Sequence, residues 1–232
     1  MLAPAVAAVG FATAAPAAPD CRNGLFPPEG VKPGLARITG EEKAFLSEDS
    51  IYCPSDKKDC PVCPGDAACQ SKTYLIPGDL VITAQSFGGH RCVLFHNQKS
   101  RQDYAGYLPE ARLAVQPAPD VAFKDWLGEW RNGDNYIRLR AKGEKLVAKG
   151  EAFWPSANPS RKDAPGGPHL GEMSGVAAPA GDKASFADSE DICHVSVTLL
   201  QPYLLAKDDG ECGGANVSFN GVYTRAPAGK KR

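Results

Sequence analysis

The sequence predicts an all-β protein of two small β-barrel modules stapled by disulfides. Three observations lead there. Gly (24) and Pro (20) are abundant among the 232 residues, as in short strands joined by many turns. Apolar residues alternate with polar ones in short runs separated by turn dipeptides. The eight cysteines are even in number, the usual provision where a small module cannot bury enough surface alone.

Residues 21–34 read as loop, with Pro27-Pro28 and Pro33-Gly34. Strands are expected over 35–38, 43–46, 72–76, 80–84, 91–96 and 104–108. The polar, Cys-rich stretch 47–71 reads as a stapled loop, and Pro77-Gly78-Asp79 as a tight turn. Gln116-Pro117-Ala118-Pro119 looks like a linker, so the modules are bounded at 21–115 and 121–228 around a linker at 116–120. The second module has strand-like runs over 125–131, 136–141, 144–154, 170–177, 192–200, 203–207 and 216–225, and a weaker eighth over 184–187. Asn132-Gly133, Lys142-Gly143, Gln201-Pro202 and Asp209-Gly210 supply turns. Alternation is clearest at Cys193, Val195, Val197 and Leu199, against His194, Ser196 and Thr198. Residues 122–126 are the one helical candidate.

Lys+Arg 26 against Asp+Glu 27 gives a net charge of -1, which offers no electrostatic support for a nucleic-acid partner. The short basic tail at 229–232 does not change that. Residues 1–20 carry no charge before Asp20, and the apolar run 5–15 with Ala12-Thr13-Ala14 reads as a secretory h-region and cleavage site. No Lys or Arg follows Met1, so either the true start lies further upstream or the segment is a disordered Ala/Pro leader. The run is interrupted by Pro and falls short of the roughly 20 residues of a membrane span, so no span is expected. The expected location is periplasmic or secreted.

In that setting all eight cysteines are expected in disulfides: Cys21, Cys53, Cys60, Cys63, Cys69, Cys92, Cys193 and Cys212. Cys53 with Cys69 and Cys60 with Cys63 are trial pairings only. Cys193 with Cys212 has a geometric basis. A hairpin turning at Gln201-Pro202 pairs residues whose numbers sum to about 403, which sets Cys193 opposite position 210, two residues from Cys212. Zinc at the Cys53, Cys60, Cys63, Cys69 cluster is the rival reading, and no metal is expected. Cys60-Pro61-Val62-Cys63 has the spacing of a redox dithiol, but Pro64-Gly65-Asp66 makes a turn where that chemistry needs a helix start.

Two families are resembled. Residues 35–115 look like a bacterial SH3-like domain through Tyr74-Leu75-Ile76-Pro77-Gly78-Asp79-Leu80-Val81, then Arg91-Cys92-Val93-Leu94-Phe95, then Gly106-Tyr107-Leu108-Pro109 with Leu113. Tyr107 stands where Trp is commoner, and the Cys-rich insertion is unusual. That family often binds cell-wall peptide or another protein, which implies an envelope partner. The second module is similar to the calycin group, the lipocalin- and avidin-like barrels, through Gly128-Glu129-Trp130 on its first strand and Arg225 on its last. The resemblance implies that Arg225 lies over the Trp130 indole and closes one barrel end, a cation–π contact of roughly 0.5–2 kcal/mol.

Candidate site residues follow. Ala148, Gly150, Ala152 and Trp154 share one face of a strand, and if that face points inward the small residues leave room for a ligand with Trp154 at the mouth; close backbone packing is the other reading. Asp208, Asp209 and Glu211 would form an acidic loop braced by Cys193 and Cys212, either a partner-binding segment or a plain staple. A symmetric hairpin of 144–154 with 170–177 would set Glu151 against Glu172; the plainer expectation is another register with both solvated. His169 and Glu172 fall on opposite strand faces. No catalytic fingerprint is present. The expected function is a non-enzymatic exported envelope-binding protein without a cofactor, its partner an envelope component or protein; a secreted or periplasmic inhibitor of a lysozyme- or protease-type hydrolase is the alternative.

Overall fold

The computed structural model describes residues 17–24, 26–53, 60–100, 102–118, 120–155 and 168–227. The leader before residue 17, the bulk of the loop 155–168 and the basic tail lie outside the described residues. The chain is all-β, with two antiparallel sheets.

The first sheet holds β1 (Gly34–Ile38), β2 (Ala44–Ser47), β3 (Gln70–Leu75), β4 (Leu80–Phe87), β5 (His90–Asn97), β6 (Gln102–Pro109) and β7 (Leu113–Gln116). Their spatial order is β3-β2-β6-β5-β4-β1-β7. Strand β7 was not expected from sequence; it pairs along β1 from Leu35↔Gln116 to Ile38↔Leu113, so the first module runs into the expected linker. The central strands are buried on both faces, which explains the unbroken apolar run Cys92-Val93-Leu94-Phe95. Val81 and Val93 enter the module's own core with Ala36, Ile38, Leu46 and Leu108. On the opposite face, Ala84, Cys92 and Tyr107 lie beneath a strap formed by residues 17–24 and 26–31.

The strap is fixed by several bonds. Cys21 and Cys92 form a disulfide. Arg22 pairs with the buried Asp49 at 2.6 Å, and the Cys21 amide donates to the same carboxylate at 2.9 Å. The Tyr107 hydroxyl donates to the Pro19 carbonyl at 2.9 Å, which gives Tyr107 a polar anchor at its tip.

All eight cysteines are paired, but two trial pairings are corrected. The bonds are Cys53–Cys60 and Cys63–Cys69, not Cys53–Cys69 and Cys60–Cys63. Asp66 accepts from the Ala68 amide and starts a short 3-10 turn over Ala67–Cys69. That turn reverses the chain and brings Cys69 back to Cys63, with Cα atoms 5.6 Å apart. The C-x-x-C spacing is thus split between two bonds.

The second sheet holds β8 (Gly128–Asn132), β9 (Asn135–Lys142), β10 (Lys145–Trp154), β11 (His169–Ala177), β12 (Lys183–Ala187), β13 (His194–Leu200), β14 (Tyr203–Asp208) and β15 (Gly221–Arg225). The order β11-β10-β9-β8-β15-β14-β13-β12 is an up-and-down meander. Strand β15 returns to β8, and the barrel is nearly closed, with its seam between β11 and β12. At the seam Gly175 sits so close to Phe186 and Ala187 that a Cβ would strike the Ala187 carbonyl at 2.7 Å. Two strands start well after their expected first residues, β8 at Gly128 and β15 at Gly221. Residues 123–126 form the single helical turn α1 (Phe123–Trp126) before β8, with the Asp125 carboxylate accepting from the Ala122 amide. Residues 216–220 stay out of the ladder because Asp208 takes the Phe219 amide and Val217 and Phe219 turn into the core.

Arg225 and Trp130 are directly paired across β15 and β8, with the guanidinium 4.4 Å from the indole centroid. Arg225 donates to the Leu127 and Asp125 carbonyls, while the Trp130 indole N–H donates to the Trp126 carbonyl at 3.0 Å. Gly128 is required here: its φ is +129°, and a Cβ would lie 2.9 Å from the guanidinium.

The modules pack on each other. Leu35, Ile82 and Leu94 from the first sheet bury against Leu200, Tyr203, Leu205 and Val222 from the outer face of the barrel. The His96 ring meets Tyr203 edge-on across this contact, 6.1 Å between centroids.

Candidate functional site

The barrel interior is closely packed around Gly150 and Gly171. Ala148, Gly150 and Ala152 do face inward and are buried, but the space they leave is taken by protein. A Cβ on Gly150 would lie 2.6 Å from the Tyr136 carbonyl, 2.8 Å from Met173 and 3.1 Å from Phe219. The segment 212–219 plugs this end, and Gly171 is pressed against Cys212 and Val217. The expectation of a roomy face is therefore corrected: the small residues accommodate Met173 and Phe219, which is the close-packing reading. Trp154 sits at the rim, 45% exposed and opposite His169.

The β10–β11 register is the symmetric one, so Glu151 does face Glu172, contrary to the plainer expectation. Both side chains are exposed on the outer surface, and Glu151 accepts a hydrogen bond from the Tyr136 hydroxyl at 2.7 Å. Water and this bond relieve the like-charge contact. His169 lies on the opposite strand face from Glu172, as alternation requires. His96 is buried and bonded to Asp103 at 2.7 Å, and His90 contacts the Gly88 carbonyl at 3.0 Å. Among the described residues no group of three or more His, Cys, Asp or Glu is placed to hold a metal.

The Cys193–Cys212 bond is formed, with Cα atoms 4.5 Å apart, and Val195↔Asp208 sets the register that places it. The loop it braces is less free than expected. Asp208 accepts from the amides of Phe219 and Gly210 and from the Ser218 hydroxyl, so it holds the plug segment in place. Asp209 accepts from the Glu211 amide at 3.0 Å and from His194 Nδ1 at 2.7 Å. His194 Nε2 meets Asp191 at 3.0 Å, so the imidazole is clamped between two carboxylates. Only Glu211 leaves its carboxylate pointed to solvent without a partner among the described residues.

The clamp holds His194 protonated to higher pH than a free histidine, chiefly through Asp209 and then Asp191. The Glu211 amide, then His194, keep Asp209 below the ordinary carboxylate range. The folded His194 value is raised, so the clamp's stabilisation is complete below the ordinary histidine value of about 6.5 and fades as pH rises through the raised one. We expect NMR titration to place the His194 midpoint above that of a free histidine, and Asp209→Asn to bring it down. A wild-type midpoint at the ordinary value would reject the clamp.

The site that sequence reasoning missed lies outside the barrel. A groove of about 640 Å³ runs between the Pro-rich end of the strap and the outer face of β12, β13 and β14. Pro27, Pro28, Val31 and Pro33 form an apolar roof. Lys183, Ser185, Ser196, Thr198 and Lys207 form the floor, with His194 and Asp209 at one end. The volume lies within the roughly 300–1,000 Å³ range of small-molecule sites. The polar half was visible as the alternation His194, Ser196, Thr198; nothing in the sequence placed residues 27–33 above it.

No family model, curated protein or solved structure matches the chain.

Proposed function

We propose that this chain is an exported, non-catalytic binding protein of the cell envelope, an SH3-like module followed by a calycin-like barrel, whose partner sits in the groove at their junction. The open groove beside a closely packed barrel carries this reading. Pairing of all eight cysteines supports an oxidising compartment. No helix among the described residues is long and apolar enough to cross a membrane. The eight-strand meander and the Arg225–Trp130 stack beside Gly128 support the calycin-like reading. The hydrolase-inhibitor alternative has weaker support, because Asp208 and Asp209 spend their carboxylates inside the loop.

The test fills the groove. Ser196→Trp sets an indole on its floor, and Ser174→Trp sets one on the exposed face of β11 as a control. Each variant, immobilised in oxidised form, is offered solubilised envelope. We expect wild type and Ser174→Trp to retain the same component and Ser196→Trp to lose it. Equal retention by all three would reject the groove as the binding site.

A further inference from the structure

We infer that the groove floor is a binding site for an anionic saccharide chain, its acidic groups seated on Lys183 and Lys207. This rests on the reading of the groove as the binding site and names the class of ligand.

The floor is a small grid set by strand register. Ser185, Ser196 and Lys207 lie in one cross-strand row, because Ser185 pairs with Ser196 and Ser196 with Lys207. Lys183, Thr198 and Leu205 form the next row. The two lysines therefore stand at opposite corners with three hydroxyls between them. Two strand spacings and one step of two residues put their Cα atoms roughly 12 Å apart, a span that their flexible stems can shorten.

The grid itself carries Lys183 and Lys207 and no carboxylate, while the groove lining as a whole is balanced, with Lys183, Lys207 and His194 against Glu29, Asp208 and Asp209. Lys183 and Lys207 are exposed and make no ion pair among the described residues. The nearest carboxylates are already engaged: Asp208 by backbone amides and Ser218, Asp209 by His194, and Asp182 by Lys32 at 3.9 Å. Glu29, exposed on the roof, is the one acid near the groove without a partner among the described residues. Two free ammonium groups at the edge of a concave site favour an anion.

The remaining lining favours a sugar. A sugar ring has hydroxyls at its edge and C–H groups on its faces. The floor offers hydroxyls: Ser185 and Ser196 touch only each other, at 3.3 Å, and Thr198 has no side-chain partner among the described residues. The roof offers Pro27, Pro28, Val31 and Pro33. An extended peptide binds most readily at a sheet edge through main-chain bonds; the one edge strand of this floor, β12, is crowded by β11 at Gly175, and β13 and β14 present a face. A nucleic acid needs a denser basic surface than two lysines.

The experiment titrates the intact oxidised protein at low salt with four probes: oligogalacturonate, a sulfated dextran oligomer, a neutral dextran oligomer and a poly-glutamate peptide. We expect an anionic saccharide to bind, with the carboxylated and sulfated arms identifying the acidic group, and neutral dextran to bind at least tenfold more weakly. The Lys183→Ala/Lys207→Ala double variant should lose at least tenfold in affinity with its unfolding midpoint unchanged. The Lys145→Ala/Lys149→Ala variant, which alters exposed lysines of β10, should bind as wild type does. Binding by neither anionic saccharide, equal or tighter binding of poly-glutamate, or unchanged binding by the first double variant would each overturn the inference. If Ser196→Trp abolishes envelope capture while no anionic saccharide binds, the groove stands and its ligand class falls.

Discussion

Replacing Cys21 and Cys92 together by Ala is expected to lower the unfolding free energy by about 4 kcal/mol. The bond joins residues 71 apart, so its loss releases a long loop in the unfolded chain, and the entropy cost of closing a loop grows with the logarithm of its length. The native contacts around it need not change. Arg22 still pairs with Asp49, and the Tyr107 hydroxyl still reaches the Pro19 carbonyl. The effect should therefore show mainly as a lower denaturant midpoint with the folded spectrum retained. The Cys53→Ala/Cys60→Ala pair provides the comparison: its separation is only 7, and the same relation gives about 2 kcal/mol. Equal losses for the two pairs would mean that loop closure is not how the strap bond stabilises the protein.

Arg225→Ala should cost about 2 kcal/mol. It removes the cation over Trp130 and leaves the Leu127 and Asp125 carbonyls without their donor. Lysine is not an adequate substitute, because one ammonium cannot span two carbonyls while lying flat on an indole. Arg225→Lys should therefore recover only part of the loss. Thermal unfolding of the two variants checks this, and a midpoint for Arg225→Ala within error of wild type would mean that the stack is ornamental to stability.

Local pattern made much of the second module readable. Short turns fix hairpin register, so β13 with β14 gave the Cys193–Cys212 bond by counting. The longer connection between β10 and β11 kept the same symmetric register, which counting offered but loop length argued against. Apart from the Arg225–Trp130 stack, which the calycin resemblance implied, contacts between segments far apart in sequence were not readable. Asp208 looked like a surface charge, yet it binds the Phe219 amide 11 residues on. Gly150 looked like an opening because its neighbours across the barrel, Met173 and Phe219, are set by tertiary packing. The floor of the groove was visible as alternation, but its roof depends on where residues 17–24 and 26–33 cross the surface. No periodicity encodes that path.

The placement of that roof has a consequence for protein engineering. Residues 27–33 cover barrel strands, yet they are anchored upstream by Cys21 to Cys92 in the other sheet. A barrel excised from residue 121 onward would keep the floor and lose the roof, and it would also uncover Leu200, Tyr203, Leu205 and Val222. Grafting the barrel alone onto another scaffold thus transfers half a recognition surface together with a sticky patch. The unit that can be transplanted begins with the strap and ends with β15.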